Sequence, residues 1–264
     1  MTTVLVTNDD GIDGEGLRTL VPTLVEFGYE PIVVAPNADY SGAGTSIISD
    51  TDSAFSGDHR EIAYERRVLP EAPDVEAYAI GAPPAMCALL SLRGAFGEQP
   101  DLVASGINFG LNTGPATRHS GTVGAALTAV GFGVPALAIS AQYTFDQPDL
   151  PLRFDTAALV AMRLLAVLPD SGHAVLNLNV PQLDMDDLLG VRAAPISTVT
   201  NFYSQVEDRT DTVLKIGYQI SDNPLAPESD SALVRAGYAA VSSLVGISSI
   251  DCADVVARLD EAAT

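Results

Sequence analysis

Within the first dozen residues two adjacent carboxylates, Asp9 and Asp10, follow the apolar run Val4-Leu5-Val6 and precede Gly11. A short β-branched run ending in polar residues and glycine reads as a buried parallel strand, and open α/β sheets bind ligands at the carboxyl ends of such strands. Two hard anionic oxygen donors at that place suit Mg²⁺ or Mn²⁺. Asn8-Asp9-Asp10-Gly11 is also good turn chemistry, so the pair alone does not decide between a metal site and a tight turn. Two later segments bear on the choice. Asn37 to Ser46, rich in glycine and serine, contains Ser41, and Gly106 to His119 contains Asn108 and Asn112 before running into Ser120-Gly121-Thr122. A helix opening on Ser-Gly-Thr presents unpaired N–H groups and its positive dipole end, which can hold a phosphate, with both hydroxyls as added donors. Plain N-capping by Ser120 and local loop bonds by Asn108 are the competing structural readings.

These loops have to be delivered by a sheet. Leu17, Leu20, Val21, Leu24 and Val25 recur at helical spacing, and Pro31 to Ala35 reads as a second buried strand, so the chain opens as a βαβ unit. Residues 60 to 80 read as shorter strands and Pro83 to Leu92 as a helix with proline at its start. Asp101 to Ser105 is another buried strand, followed by the long loop Gly106 to His119. A helix capped by Ser120 then carries the small residues Gly124, Ala125 and Ala126 for close packing on the sheet. Val134 to Ser140 is the next strand, about 154 to 167 a helix, and Ala174 to Val180 a strand stopped by Pro181. Residues 190 to 230 lack helical periodicity and favour a hairpin-like extension, while Val255, Val256 and Leu259 mark an amphipathic terminal helix. The fold class expected is a three-layer, Rossmann-like α/β domain over residues 1–185, with its mostly parallel sheet, and a hairpin extension and oligomerisation segment over 186–264.

Composition narrows the function. The 264 residues are 47% hydrophobic, enough for one large α/β core with an appendage. Acidic residues number 34 against 13 basic ones, a formal charge of −21, and Lys215 is the sole lysine. Nucleic-acid binding through a basic patch is thereby disfavoured. The carboxylates are scattered rather than gathered in a tail, the pattern of a protein kept hydrated in concentrated salt, where screening relieves self-repulsion. A halophilic cytosol is the expectation. Cys87 and Cys252 have no Cys or His at metal-ligand spacing, so neither a disulfide framework nor a zinc site is implied. No basic leader precedes Asp9, and no stretch approaches the roughly 20 apolar residues of a membrane span, so a cytoplasmic protein without a membrane partner is expected.

Taken together, the blocks resemble a known family, the SurE survival-protein nucleotidases. The resemblance rests on Val4-Leu5-Val6-Thr7-Asn8-Asp9-Asp10-Gly11-Ile12, on Ala35-Pro36 with Ser41-Gly42, and on Asp101 through Asn108. It continues with Ser120-Gly121-Thr122-Val123-Gly124-Ala125-Ala126 and Leu178-Asn179-Val180-Pro181, and returns weakly at Gly237-Tyr238 and Val241-Ser242. It implies a divalent-metal-dependent phosphatase for nucleoside 5′- and 3′-monophosphates, with one Mg²⁺ or Mn²⁺ per subunit held by Asp9, Asp10, Ser41 and Asn108. Catalysis would fall to Asp9, Asp10, Asn108, Ser120 and Thr122, and substrate binding to Asn8, Asn112, Ser120, Gly121 and Thr122. The mechanism expected is in-line hydrolysis by metal-activated water, with Asp9 or Asp10 orienting or deprotonating it. An aspartyl-phosphate enzyme and a non-catalytic metal and nucleotide sensor are the alternatives; the former usually separates its two aspartates by one residue, whereas here they are adjacent. The resemblance also implies a homodimer or homotetramer built through the C-terminal part.

The chain departs from the family in three places. Gly81-Ala82-Pro83-Pro84-Ala85-Met86-Cys87 replaces a usual Gly-Thr-Pro and Ala-Asp-Cys, and Asn37-Ala38-Asp39-Tyr40 stands where basic residues are common. Pro115 to His119 replaces acidic and aromatic residues, which brings Arg118 as a phosphate contact and His119 as an acid for the leaving oxygen into consideration, against the commoner outcome of exposed loop residues.

Overall fold

The computed structural model describes residues 1–47, 61–143, 150–172, 174–199, 202–220, 223–249 and 251. Strand β1 (Thr3–Thr7), helix α1 (Glu15–Glu26) and strand β2 (Glu30–Pro36) form the opening βαβ unit. Helix α1 buries Leu17, Leu20, Val21 and Leu24, the i, i+3, i+4, i+7 set of one face, whereas Val25 sits a step round the helix and is half exposed. Strands β3 (Tyr64–Leu69) and β4 (Ala72–Ile80) lead into α2 (Pro84–Leu92), which has proline at its start. Strand β5 (Leu102–Phe109) precedes α3 (Gly121–Val130), β6 (Ala136–Ala141), α4 (Phe154–Leu165) and β7 (Val175–Val180).

Beyond them come β8 (Val191–Ala193), β9 (Phe202–Arg209), β10 (Leu214–Ile220), α5 (Asp230–Arg235) and β11 (Ala239–Leu244). The main sheet runs β3-β4-β2-β1-β5-β6-β7-β11-β8, with the six strands from β4 to β7 mutually parallel. Both outer additions begin antiparallel, β3 beside β4 and β11 beside β7, and β8 then pairs parallel with β11. Strand β11 thus takes residues from the C-terminal part into the same sheet as β1.

Alternation along the strands sorts the core into two layers. Val4 and Val6 of β1 pack with α1 and α4, while Leu5 packs with α2 and α3 on the opposite face. Fully buried parallel strands explain the uninterrupted apolar runs in the sequence. Ala82 and Met86, where the resembled family carries threonine and aspartate, are buried in the α2/α3 layer beside Leu5 and Cys87. The departure there fills core volume.

One local difference from expectation stands out. Gly106 to Phe109 is not loop but the end of β5, resumed after a register irregularity between Ser105 and Asn108 against β6. The expected hairpin exists as β9 and β10, an antiparallel two-stranded sheet of its own. The expected terminal helix, with Val255, Val256 and Leu259, lies outside the described residues, as do His59, His173 and Cys252.

Candidate metal and phosphate site

Asp9 leaves the carboxyl end of β1 buried, 3% exposed, and meets the N-terminus of α3. The Gly121 and Thr122 amides donate to its Oδ2 at 3.1 and 3.2 Å, and the Thr122 hydroxyl donates to Oδ1 at 2.5 Å. The helix therefore spends two of its unpaired N–H groups and its positive end on a protein carboxylate. A Cβ at Gly121 would lie 2.8 Å from the Asp9 Cβ, so this approach requires glycine. Ser120 caps the helix as its sequence position predicts: its Oγ accepts from the Val123 amide at 3.1 Å.

Asp10 lies beside it at the rim, its Oδ2 accepting from the Phe109 amide at 3.3 Å. Burial raises the pKa of Asp9, partly offset by its bonds to Thr122 and Gly121. Burial together with the neighbouring charges of Asp9 and Asp39 pushes Asp10 up to about 7. Asn108, on β5, donates from Nδ2 to the Gly110 carbonyl at 2.8 Å, and its Oδ1 sits 3.4 Å from the Thr122 hydroxyl. The irregularity that interrupts β5 places this amide oxygen on the α3 side, next to Asp9.

The segment after β2 closes the third side. The Tyr40 amide donates to the Asp9 carbonyl at 2.8 Å, Ser41 follows with its amide on Asp39 Oδ1 at 2.7 Å, and the Gly44 amide donates to the His119 carbonyl at 3.0 Å. A Cβ at Gly124 would come 2.1 Å from the Gly44 carbonyl oxygen, so α3 and this loop touch backbone to backbone. Arg118 and His119 are both exposed, with His119 tied to the loop through its carbonyl rather than its ring.

Asn8 and Asn112 turn inward. Asn8 donates to the Gly11 carbonyl at 2.8 Å, and its Oδ1 is buried without a partner among the described residues. Asn112 donates from Nδ2 to Ser140 Oγ at 2.9 Å and from its amide to Asn179 Oδ1 at 2.8 Å, while its carbonyl accepts from Asn177 and Asn179. This buried network of β6 and β7 side chains fixes the loop between β5 and α3. Asp230 fixes it a second time. Fully buried at the start of α5, its carboxylate accepts from the amides of Gly114 at 2.9 Å, Ser197 at 2.9 Å and Ser231 at 2.7 Å. Sequence reasoning singled out neither Asp230 nor Asn177. The only local sign of Asp230 is Ser229-Asp230 ahead of a short apolar run, a helix start indistinguishable from surface capping.

The donor set fits a divalent cation. Asp9 and Asp10 have no ion-pair partner among the described residues, and burial, joined at Asp10 by the charges of Asp9 and Asp39, raises both pKa values, a penalty that a bound cation would relieve. Among the described residues no group of three His, Cys, Asp or Glu side chains is placed to hold a metal, so the Asn108 amide oxygen, which meets the Thr122 hydroxyl that bonds Asp9, is the further donor at hand, while Ser41 is exposed and is tied in only through its amide.

A mostly parallel sheet with an acidic pair and oxygen donors gathered at the carboxyl ends of its central strands defines an open α/β domain with its candidate site where such folds place ligands. Comparison makes the assignment specific: residues 4–202 match the model of the survival protein SurE family, and the chain belongs to that family. It is 31% identical over 253 residues to a 5′-nucleotidase SurE of Xylella fastidiosa, with 91% of this chain and 88% of that protein covered. A protein of the same name from Halorhodospira halophila is 33% identical over 247 residues, covering 91% and 90% of the two chains. The crystal structure of the SurE protein from Aquifex aeolicus superposes with a TM-score of 0.74 at 25% identity, covering 99% of this chain and 100% of that one.

Proposed function

We propose that this protein is a divalent-metal-dependent 5′-nucleotidase that hydrolyses nucleoside 5′- and 3′-monophosphates to nucleoside and phosphate. The observation that carries the reading is the seating of Asp9 on the first turn of α3, with Asp10 and the Asn108 oxygen alongside, in a chain whose relatives are named 5′-nucleotidases. Asp9, Asp10, Ser41 and Asn108 would hold one Mg²⁺ or Mn²⁺ per subunit. Such an ion supplies Lewis acidity toward a phosphoryl oxygen and makes water a stronger acid. The chain's own residues divide the remaining work. Asp9 accepts three hydrogen bonds and is held in one orientation, which suits a fixed anchor and not an attacking nucleophile. Asp10 accepts one hydrogen bond among the described residues, from the Phe109 amide to Oδ2, and its other oxygen is available to orient the attacking water and take its proton. Water enters in line as the ester P–O bond breaks, and the proton taken from it passes on to the departing ribose oxygen; the Ser120 hydroxyl, which only accepts in its cap and keeps its own proton to donate, meets the charge that develops, while Thr122 contributes by fixing Asp9.

The protein works as a homodimer or homotetramer in the cytoplasm of a salt-rich cell. The exposed Val206, Val213, Leu214 and Ile216 of the β9–β10 hairpin support assembly through residues 186–264, and the charge of −21 with one lysine supports the salt-rich setting. No described helix is long and apolar enough to cross a membrane.

The test is phosphate release from 5′-AMP and 3′-AMP at high KCl with Mn²⁺ or Mg²⁺, against Asp9→Asn and an EDTA control. Release that needs metal and disappears in Asp9→Asn is expected. Folded, metal-binding protein that releases nothing from either nucleotide would overturn the reading in favour of a sensor.

A further inference from the structure

We propose that Phe109, backed by Tyr143, is the stacking platform for the substrate's nucleobase, an inference that rests on the nucleotidase reading above. The Phe109 amide is bonded to Asp10 Oδ2, and its neighbour Asn108 lies about 3.3 Å back along the strand, so the residue stands at the edge of the proposed phosphate site. The residue is 43% exposed, and its ring packs against Tyr143, with ring centroids 4.3 Å apart and planes 33° from parallel. Ile107 packs in the α1/α4 layer, so alternation carries Phe109 to that side of the sheet while Asn108 faces α3. A nucleotide whose phosphate rests by Asp9 and α3 therefore arcs over the end of β5, and its base meets the aromatic pair. Placement rather than exposure makes the case, since single exposed apolar side chains are ordinary.

The surrounding chemistry favours stacking over charge. The loop from Asn37 to Ser41 contributes Asp39 and no cation, and Asp39 adds its negative charge to Asp10. A neutral base on a neutral ring is indifferent to that field, and every base has a π-face, so the platform accepts all bases and grips the larger purines best.

Two readouts test it on the full chain in high KCl. The first is binding of adenosine, which has no phosphate to lose, followed by saturation-transfer NMR in wild type, Phe109→Ala and Phe109→Trp. Base-proton signals in wild type and Phe109→Trp and their loss in Phe109→Ala are expected. The second is the ratio of kcat/KM for 5′-AMP over ribose 5-phosphate, expected to fall at least fivefold in Phe109→Ala and to be restored in Phe109→Trp. Unchanged adenosine binding in Phe109→Ala, no adenosine binding by wild type, or an unaltered ratio would overturn the platform. Adenosine binding that depends on Phe109 in a protein releasing no phosphate from 5′-AMP would uphold the platform and remove the nucleotidase reading instead.

Discussion

Asp9 and Thr122, 113 residues apart in sequence, are joined by two hydrogen bonds, hydroxyl to Oδ1 at 2.5 Å and amide to Oδ2 at 3.2 Å. Through this pair the first strand and the third helix act as one unit. Hydrogen bonds to a charged group contribute about 1.5–3 kcal/mol, and Thr122→Val deletes the shorter of the two while keeping the shape of the side chain. A fall in kcat/KM for 5′-AMP of roughly 10- to 100-fold is expected, with Thr122→Ser close to wild type. Steady-state kinetics on the three proteins checks it, with circular dichroism confirming the fold.

Asp10 sets a dependence on pH whose sign reverses with metal. Without a cation its pKa is raised from 3.8 to about 7, so the folded state holds the proton more tightly than the unfolded chain. The stability this contributes is complete below about pH 4 and is lost as pH rises through about 7. In EDTA the melting temperature should fall between pH 5 and pH 8, and Asp10→Asn should reduce that slope, leaving the part due to Asp9. With Mn²⁺ present, wild type should gain stability at pH 8 and Asp10→Asn should gain less. A wild-type melting temperature in EDTA that is flat from pH 5 to 8 would contradict this account.

Gly124→Ala opposes two effects. Alanine gains about 1 kcal/mol of helix propensity over glycine, but its Cβ would stand 2.1 Å from the Gly44 carbonyl oxygen, which is backbone. The clash wins, and the loop bearing Ser41 is pushed away from α3. The expected result is a net loss of about 1–3 kcal/mol in urea unfolding together with weaker Mn²⁺ binding by calorimetry.

Asp230→Ala removes one carboxylate and strands the buried amides of Gly114 and Ser197. The cost expected is about 3–5 kcal/mol of stability, with Asp230→Asn losing less because the amide oxygen still accepts. Comparative urea titration at fixed KCl measures it.

The charge of −21 predicts a melting temperature that climbs with KCl, because the screening length drops from about 10 Å at 0.1 M to about 3 Å at 1 M. A value unchanged between millimolar and molar KCl would rule out adaptation to salt.

Local signals in the sequence carried far. The stripe of Leu17, Leu20, Val21 and Leu24 marks a helix because burial and periodicity coincide, and Ser120 announces its cap because a cap bond spans only three residues. The contribution of Asp230 to the loop before Ser120 was illegible, since its partner Gly114 lies 116 residues away and nothing near Asp230 encodes that meeting. The extension of β5 to Phe109 was hidden by Gly106 and Asn108, which read as loop residues but occupy an irregular strand. The direction in which the first turn of α3 spends its amides was equally hidden: the Ser120-Gly121-Thr122 opening suggested a phosphate, whereas the structure gives two of them to Asp9.

The order of residues along the chain also sets an order in time. Asp9, Asn108 and Thr122 emerge from a ribosome well before Asn177 and Asn179, and those before Asp230 and β11, which hold the loop between β5 and α3 and widen the sheet past β7. Because synthesis proceeds from the N-terminus, a nascent chain carries all the proposed ligands while the brace for their loop is still unmade. The cleft is completed last, so a half-made copy holds its acidic pair without the frame that aims it.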